Sequence, residues 1–204
     1  PRSTHVPVST YRLQLGEALP FAAAARLAPY LERLGVTTCY ASPVLAARPG
    51  STHGYDTCDH GRLNPELGGD EGFAALTTAL QAAGIGLIVD FVPNHMSIDP
   101  VANRWWRDVL ENGPSSEFAR NFDIDWSPVK SELQSKVLLP VLGDQYGVVL
   151  DEGHLQIVCV DGHFSLRYFA LDLPLRPRHR RHLLGHRLDV LQASRPALDV
   201  GLNE

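Results

Sequence analysis

The sequence is poor in cysteine, with three in 204 residues: Cys39, Cys58 and Cys159. An odd number of widely spaced cysteines does not provide the disulfide framework that stabilises small secreted domains, and it suits a reducing compartment. The sequence also lacks an apolar stretch of about 18 residues, the minimum for a membrane-spanning helix, and residues 1–5 show no apolar signal-peptide core. We therefore expect a cytoplasmic protein without a membrane partner.

Positive charge is scarce as well, since the formal net charge is −5 at pH 7. A general nucleic-acid-binding protein needs a basic surface, so we expect no nucleic-acid partner. The exception is the run RPRHRR at residues 176–181. We interpret this run as the solvent-exposed face of a helix, and contact with a membrane or a nucleic acid is the alternative.

The first half of the sequence alternates strand and helix signals. Apolar runs predict strands at residues 6–13, 36–41 and 85–92, and helical spacing predicts helices at 21–34 and between Asp70, as the N-cap, and Gly84. The third run is typical of a strand buried on both faces of a parallel sheet. A βαβαβ unit of this kind fits a doubly wound sheet or part of a (β/α)8 barrel. The turn QLGEA after the first strand lacks the GxGxxG fingerprint expected of a nucleotide-binding sheet.

The second half of the sequence has a different pattern of predicted elements. We predict a helix at residues 100–112, short β-like runs at 136–139, 148–150, 155–158 and 164–169, a hairpin turn at Asp161-Gly162, and a basic helix at 178–191. Two domains follow from this division. Residues 1–99 form the βαβαβ part of the fold, and residues 100–204 form a small, mostly β subdomain inserted after the third strand.

Two stretches at the ends of predicted strands carry chemically useful side chains. One is STHGYDTCDH at residues 51–60, inside a long loop after the second strand, and the other is DFVPNH at residues 90–95. In barrels of parallel strands, the loops after the strand ends build the active site. Asp90 ends an apolar strand and is costly to bury without a partner. Asn94 and His95 offer donors and acceptors to a polyhydroxylated ligand.

Structural alternatives exist for several of these residues. Tyr55 could cap the barrel, and His95 could be a satisfied core histidine. For Asp56 we expect first a loop-holding role, through backbone N–H groups, and second a ligand contact.

Two further groups of side chains lie outside these stretches. Trp105 and Trp106 could form a sugar platform, but adjacent helical residues do not share a face, and we interpret them as core. Residues His179, His182 and His186 have metal-ligand spacing without a carboxylate or cysteine, so we predict no metal and no cofactor.

These stretches resemble the α-amylase family. DFVPNH at residues 90–95 is similar to the DxxxNH signature at the third strand of that family, and GYD at 54–56, followed by NP at 64–65 and GG at 68–69, is similar to its loop after strand 2. The finer resemblance is to the maltooligosyltrehalose synthases, and it runs from about Val8 to Leu175. The stretches that carry it are TYRLQ at 10–14, ASP at 41–43, STHGYD at 51–56, DIDW at 123–126 and KVLLPVLG at 136–143.

The resemblance implies an α/β fold that comprises the first three strands of a (β/α)8 TIM barrel plus the inserted subdomain. It implies an enzyme that converts the reducing-end α-1,4 linkage of a maltooligosaccharide into an α,α-1,1 linkage by intramolecular transglucosylation. By the same resemblance, Tyr55 stacks on a glucose ring, His95 bonds a sugar hydroxyl, and Asp90 orients the site by pairing with an arginine on the fourth strand. Asn94, Asp56 and His53 support the site.

The resemblance also places the nucleophile, the acid/base and a further aspartate of the family after strands 4, 5 and 7, beyond Glu204. We therefore predict no catalytic residue in this chain and no turnover by the chain alone. A fragment, a partial gene product, and one piece of a split enzyme with a complementing C-terminal chain are the interpretations left open. The alternatives to a synthase are an α-glucosidase or maltooligosyltrehalose hydrolase, and a non-catalytic glucan-binding module.

Overall fold

The computed structural model describes residues 6–160, 162–176 and 179–185. The chain forms two compact units, Pro1–Arg104 and Trp105–Glu204, which we call the barrel unit and the second unit. The boundary that we predict from the sequence lies slightly earlier, after residue 99. No helix in the described ranges is long and apolar enough to cross a membrane.

The barrel unit is built on a parallel three-stranded sheet. Its elements in chain order are β1 (Thr10–Leu13), α1 (Phe21–Ala25), α2 (Ala28–Arg33), β2 (Thr38–Ala41), β3 (Leu45–Ala47), β4 (Thr57–Leu63), α3 (Gly69–Ala82) and β5 (Gly86–Val89). The sheet order is β1-β2-β5, and both pairings are parallel, as the sequence predicts. The carboxyl ends of the three strands therefore meet at one edge of the sheet.

Helices α1 and α2 replace the single helix predicted for residues 21–34. Pro29 has no N–H donor and lies at the second position of α2, where a helix tolerates it. The Leu27 N–H accordingly bonds to the carbonyl three residues back, at Ala24 (3.0 Å). The predicted apolar face survives the break and is almost fully buried; its members are Phe21, Ala24, Ala28 and Leu31.

Three further predictions for the barrel unit were wrong in detail. β5 is not buried on both faces, because none of its four residues is fully buried and Ile88 is 42% exposed. The N-cap of α3 is Gly68, so Asp70 lies in the first helical turn, where its charge still favours the helix dipole. The loop predicted at 42–69 contains the β3–β4 hairpin, whose register shifts around Ala46 and so shows no regular alternation in the sequence.

The second unit contains an antiparallel sheet. Its elements are α4 (Arg104–Asn112), which begins at the last residue of the barrel unit, α5 (Tyr146–Asp151), β6 (Leu155–Val160), β7 (His163–Tyr168), β8 (Leu171–Pro174) and α6 (Arg180–Leu184). The runs predicted at 155–158 and 164–169 lie largely in β6 and β7, which pair as a hairpin. The run at 148–150 is helical and that at 136–139 is irregular. Asp161 and half of the basic helix predicted at 178–191 lie outside the described residues, and α6 lies within the described part of that prediction.

Both tryptophans of α4 pack on aromatic rings of the second unit. Trp106 is buried, and its ring centroid lies 5.1 Å from that of Phe122. The Trp105 ring stacks nearly parallel on Phe118, with centroids 5.2 Å apart and planes at 10°. These contacts favour the core interpretation over a free sugar platform.

Candidate functional site

Three polar side chains lie at the carboxyl edge of the parallel sheet. The strand register sets Arg12 of β1 opposite Tyr40 of β2. Asp90 follows β5, and its N–H donates to the Ala41 carbonyl (2.9 Å), which extends the ladder by one bond. The sheet therefore brings together residues that are far apart in sequence, including Tyr40 and Asp90.

The loop that carries Tyr55 is closed by its own side chains. The Ser51 hydroxyl donates to Asp56 Oδ1 (2.5 Å) and accepts the Gly54 N–H (3.1 Å). The Asp56 carbonyl accepts the N–H of Arg48 (3.0 Å). Asp56 therefore contacts the loop through a hydroxyl donor, whereas we expected backbone N–H donors.

Gly54 occupies a position that another residue would fit poorly. Its φ is +79°, and an added Cβ would lie 3.2 Å from the Pro43 carbonyl oxygen. The left-handed region costs an L-residue about 1–2 kcal/mol. We expect Gly54→Ala to lower the free energy of unfolding by about 2 kcal/mol or more, which corresponds to a Tm decrease of roughly 4–8 °C.

The matched control for this prediction is Gly50→Ala, at φ +74° with open space around the added Cβ. Gly50→Ala carries the backbone cost without the contact with Pro43, so its Tm should decrease less. Thermal unfolding followed by circular dichroism measures both variants. Equal Tm values for the two variants would contradict a close packing of Gly54 on Pro43.

Asp90 is held by two tyrosine hydroxyls. The Tyr55 hydroxyl donates to Asp90 Oδ2 at 2.5 Å, and the Tyr40 hydroxyl donates to the same oxygen at 2.9 Å. The hydrogen bond from Tyr55 is the largest cause that lowers the pKa of Asp90 below its ordinary value. The hydrogen bond from Tyr40 and the positive charge of Arg12 lower it further. The carboxylate in turn raises the pKa of Tyr40 through the hydrogen bond between them.

The two histidines of the predicted site contact the backbone of Tyr55. His53 Nδ1 accepts the Tyr55 N–H (3.0 Å), and His95 Nε2 lies 3.1 Å from the Tyr55 carbonyl oxygen. Because a carbonyl only accepts, Nε2 of His95 carries a proton in this contact. His95 Nδ1 lies 3.2 Å from Asn94 Oδ1. The alternative of a core histidine is wrong for His95, because its side chain is exposed.

All six side chains predicted for the site therefore lie at one edge of the barrel unit: Tyr55, Asp90, His95, Asp56, Asn94 and His53. Sequence reasoning missed Arg12, Gln14 and Tyr40. Gln14 lies just beyond the end of β1, two residues after Arg12, and its amide donates to the His53 carbonyl (3.3 Å). The stretch TYRLQ contains both, and it supports the family resemblance. The described ranges contain no cluster of three metal-ligating side chains, and His186 lies outside them.

The loop after β5 is fixed to the β3–β4 hairpin. His60 Nε2 lies 2.9 Å from the Val92 carbonyl oxygen, and the Ser97 N–H donates to the Thr57 carbonyl (2.8 Å). This attachment holds the segment that carries His95 beside the loop that carries Tyr55.

The pKa of Asp90 provides a test of this geometry. Asp90 has a lowered pKa in the folded state, so its stabilising effect is complete above its unfolded pKa and is lost as the pH falls through the folded pKa. We expect Tyr55→Phe to raise the pKa of Asp90, because the variant removes the largest cause of the shift. Carbon-13 NMR of the carboxyl carbon measures this pKa. An unchanged titration would contradict the contact between the two residues.

Comparisons with known proteins place these features in context. The alpha-amylase family model (alpha amylase, catalytic domain) matches residues 25–142. A putative maltooligosyl trehalose synthase of Mycobacterium tuberculosis is 45% identical over 177 residues, which is 83% of this chain and 21% of that protein. The structure of maltooligosyltrehalose synthase from Arthrobacter ramosus matches with a TM-score of 0.72 and 44% identity, over 84% of this chain and 21% of that one.

A further relative matches a smaller part of the chain. The intracellular maltogenic amylase of Bacillus subtilis is 36% identical over 103 residues, which is 50% of this chain and 17% of that protein. The chain thus spans about one fifth of the length of the curated relatives it matches.

Proposed function

Because this chain belongs to the alpha-amylase family, we propose that it supplies the N-terminal part of an enzyme that acts on maltooligosaccharides. The reaction is an intramolecular transglucosylation. The reducing-end α-1,4 linkage of the glucan is broken and an α,α-1,1 linkage is formed between the same two glucose units. The product is an isomer of the substrate with a trehalosyl end.

The main support for this proposal is the extent of the sequence match to the synthase. The match to the putative synthase of Mycobacterium tuberculosis covers 83% of the chain, whereas that to the maltogenic amylase stops at 50%. Each of the two units accounts for about half of the chain. A match over 83% therefore includes residues of both units, and this greater extent favours a synthase over a hydrolase.

The geometry supports a sugar subsite at the carboxyl edge of the sheet. Tyr55 presents a half-buried ring that is held by hydrogen bonds at its hydroxyl and at its backbone. A glucose ring would stack on it, His95 would bond a sugar hydroxyl, and Asp90 would orient Tyr55. Asp56, Asn94 and His53 would hold the two loops.

The chemistry of bond exchange is assigned to residues outside this chain. A retaining mechanism needs two carboxylates about 5–5.5 Å apart, one as nucleophile and one as acid/base. Asp90 already accepts two tyrosine hydroxyls, and Asp56 accepts the Ser51 hydroxyl. Both carboxylates thus hold neighbouring hydroxyls in place, and the family resemblance assigns the nucleophile and the acid/base to other residues, so we expect no turnover by the 204-residue chain alone.

Product analysis tests the proposal. The full-length product of the gene that encodes this chain is incubated with maltohexaose, and reducing ends and released sugars are measured. We expect loss of reducing ends without release of glucose or trehalose. Release of glucose would indicate an α-glucosidase, and release of free trehalose from a trehalosyl substrate would indicate the hydrolase. Turnover by the purified 204-residue chain would contradict the assignment of catalysis to other residues.

A further inference from the structure

One guanidinium group joins three parts of the site. Nη1 of Arg12 donates to Gln14 Oε1 (2.9 Å), and Nη2 donates to the Tyr55 hydroxyl (3.2 Å). The guanidinium carbon also lies 5.6 Å from the ring centroid of Tyr40, within the range of a cation–π contact. A single side chain therefore contacts β1, β2 and the loop that carries Tyr55.

Arg12 also fixes the direction of the hydrogen bond between Tyr55 and Asp90. A tyrosine hydroxyl has one proton, and arginine donates only. Because the oxygen of Tyr55 accepts from Arg12, its own proton is left for Asp90 Oδ2. The Tyr40 hydroxyl donates to the same oxygen. Two donors on one oxygen are satisfied when Asp90 is ionised, and the charge of Arg12 favours that form.

We propose that Arg12 is a positioning residue of the site, which acts through Tyr55 and Tyr40 to keep the Tyr55 ring in the orientation that stacks on the sugar. This inference rests on the proposed function of Tyr55. His53 and His95 hold the backbone of Tyr55, whereas Arg12 and Asp90 hold its hydroxyl. The ring is thus fixed at both ends.

Lysine would not replace arginine at this position. The guanidinium presents its donors in a rigid plane, which allows two acceptors and an aromatic face to be contacted together. The lysine ammonium is a single charge on a flexible stem. Arg12→Lys should therefore keep part of the electrostatic effect on Asp90 and lose the simultaneous contacts with Gln14 and Tyr55.

Kinetics of four variants in the full-length gene product test this inference. We expect Arg12→Gln to lower kcat/KM for maltohexaose by roughly 10- to 100-fold, because misplacement of a site group by about 1 Å can cost about 100-fold. Arg12→Lys should lie between Arg12→Gln and wild type. Tyr40→Phe keeps the ring beneath Arg12 and removes the hydroxyl that donates to Asp90. The matched control is Arg33→Gln, an exposed arginine in the last turn of α2, which should leave kcat/KM unchanged.

Titration of Asp90 provides a readout that does not depend on turnover. The titratable groups that contact the carboxylate or its tyrosine partners are Tyr40, Tyr55, Arg12 and, at the backbone of Tyr55, His53 and His95. In the 204-residue chain, Arg12→Gln should raise the pKa of Asp90 measured by carbon-13 NMR, and Arg33→Gln should not.

The outcomes separate this inference from the proposed function. If the wild-type protein releases glucose, the proposed reaction is wrong, while the ratio of Arg12→Gln to wild type still decides the role of Arg12. An Arg12→Gln variant with the kcat/KM of Arg33→Gln would overturn the inference. A loss of activity that is fully explained by a lower Tm, with an unchanged Asp90 titration, would overturn it as well.

Discussion

Tyr55→Ala should lower kcat/KM of the full-length gene product by roughly 30- to 1,000-fold with maltohexaose as the substrate. The glucose ring flattens toward an oxocarbenium-like state during bond exchange, and contacts that tighten as it does so stabilise the transition state more than the ground state. Loss of one preorganised group at such a site costs about 2–4 kcal/mol, and about 1.4 kcal/mol corresponds to a tenfold change in rate.

Tyr55→Phe is the matched control for this prediction. Phenylalanine keeps the stacking surface and removes the hydroxyl that Arg12 and Asp90 hold. We expect a smaller decrease than for alanine, with circular dichroism spectra of both variants unchanged. A kcat/KM for Tyr55→Ala within a few-fold of wild type would contradict the stacking role. Tyr55 would then be an aromatic cap over the sheet edge.

Asp90→Ala should have an effect of similar size on kcat/KM, and it should also destabilise the fold. The substitution leaves the hydroxyls of Tyr40 and Tyr55 without their acceptor. Loss of a shared acceptor leaves the two donors to be satisfied by water at best, and this lowers the free energy of unfolding. Activity assays with maltohexaose and thermal unfolding, performed on the same preparations, measure the two effects.

Asp90→Asn separates charge from shape at this position. Asparagine keeps an oxygen that accepts from the tyrosines but removes the negative charge that faces Arg12. We expect it to retain most of the stability and to lose a substantial part of the activity. If Asp90→Asn retains the kcat/KM of wild type while Asp90→Ala loses it, the charge of Asp90 has no separate part in the site.

The parallel core was predictable because each of its elements has a strong local signal. Apolar runs mark the strands, and the face of Phe21, Ala24, Ala28 and Leu31 marks the helical segment even though Pro29 divides it. The β3–β4 hairpin was missed because its register shifts remove the alternation of polar and apolar residues. The run at 148–150 was misassigned because a short apolar segment fits a strand and a helix equally well.

The site was predictable to the extent that its residues follow strands. Tyr55, Asp90 and His95 lie after strand ends, and parallel strands bring such ends together. Arg12 and Tyr40 lie within strands and meet because of the register between β1 and β2, which the sequence does not encode locally. The partners of Asp90 could therefore be expected to exist but could not be named.

A crystal structure of the full-length gene product with a bound, thio-linked maltooligosaccharide tests the central claim most directly. We expect a pyranose ring stacked on Tyr55 at a contact distance of about 4 Å. We also expect a sugar hydroxyl at about 3 Å from a ring nitrogen of His95. A glucan that is bound in the cleft without contacting either residue would contradict the sugar-binding role proposed for this edge of the sheet.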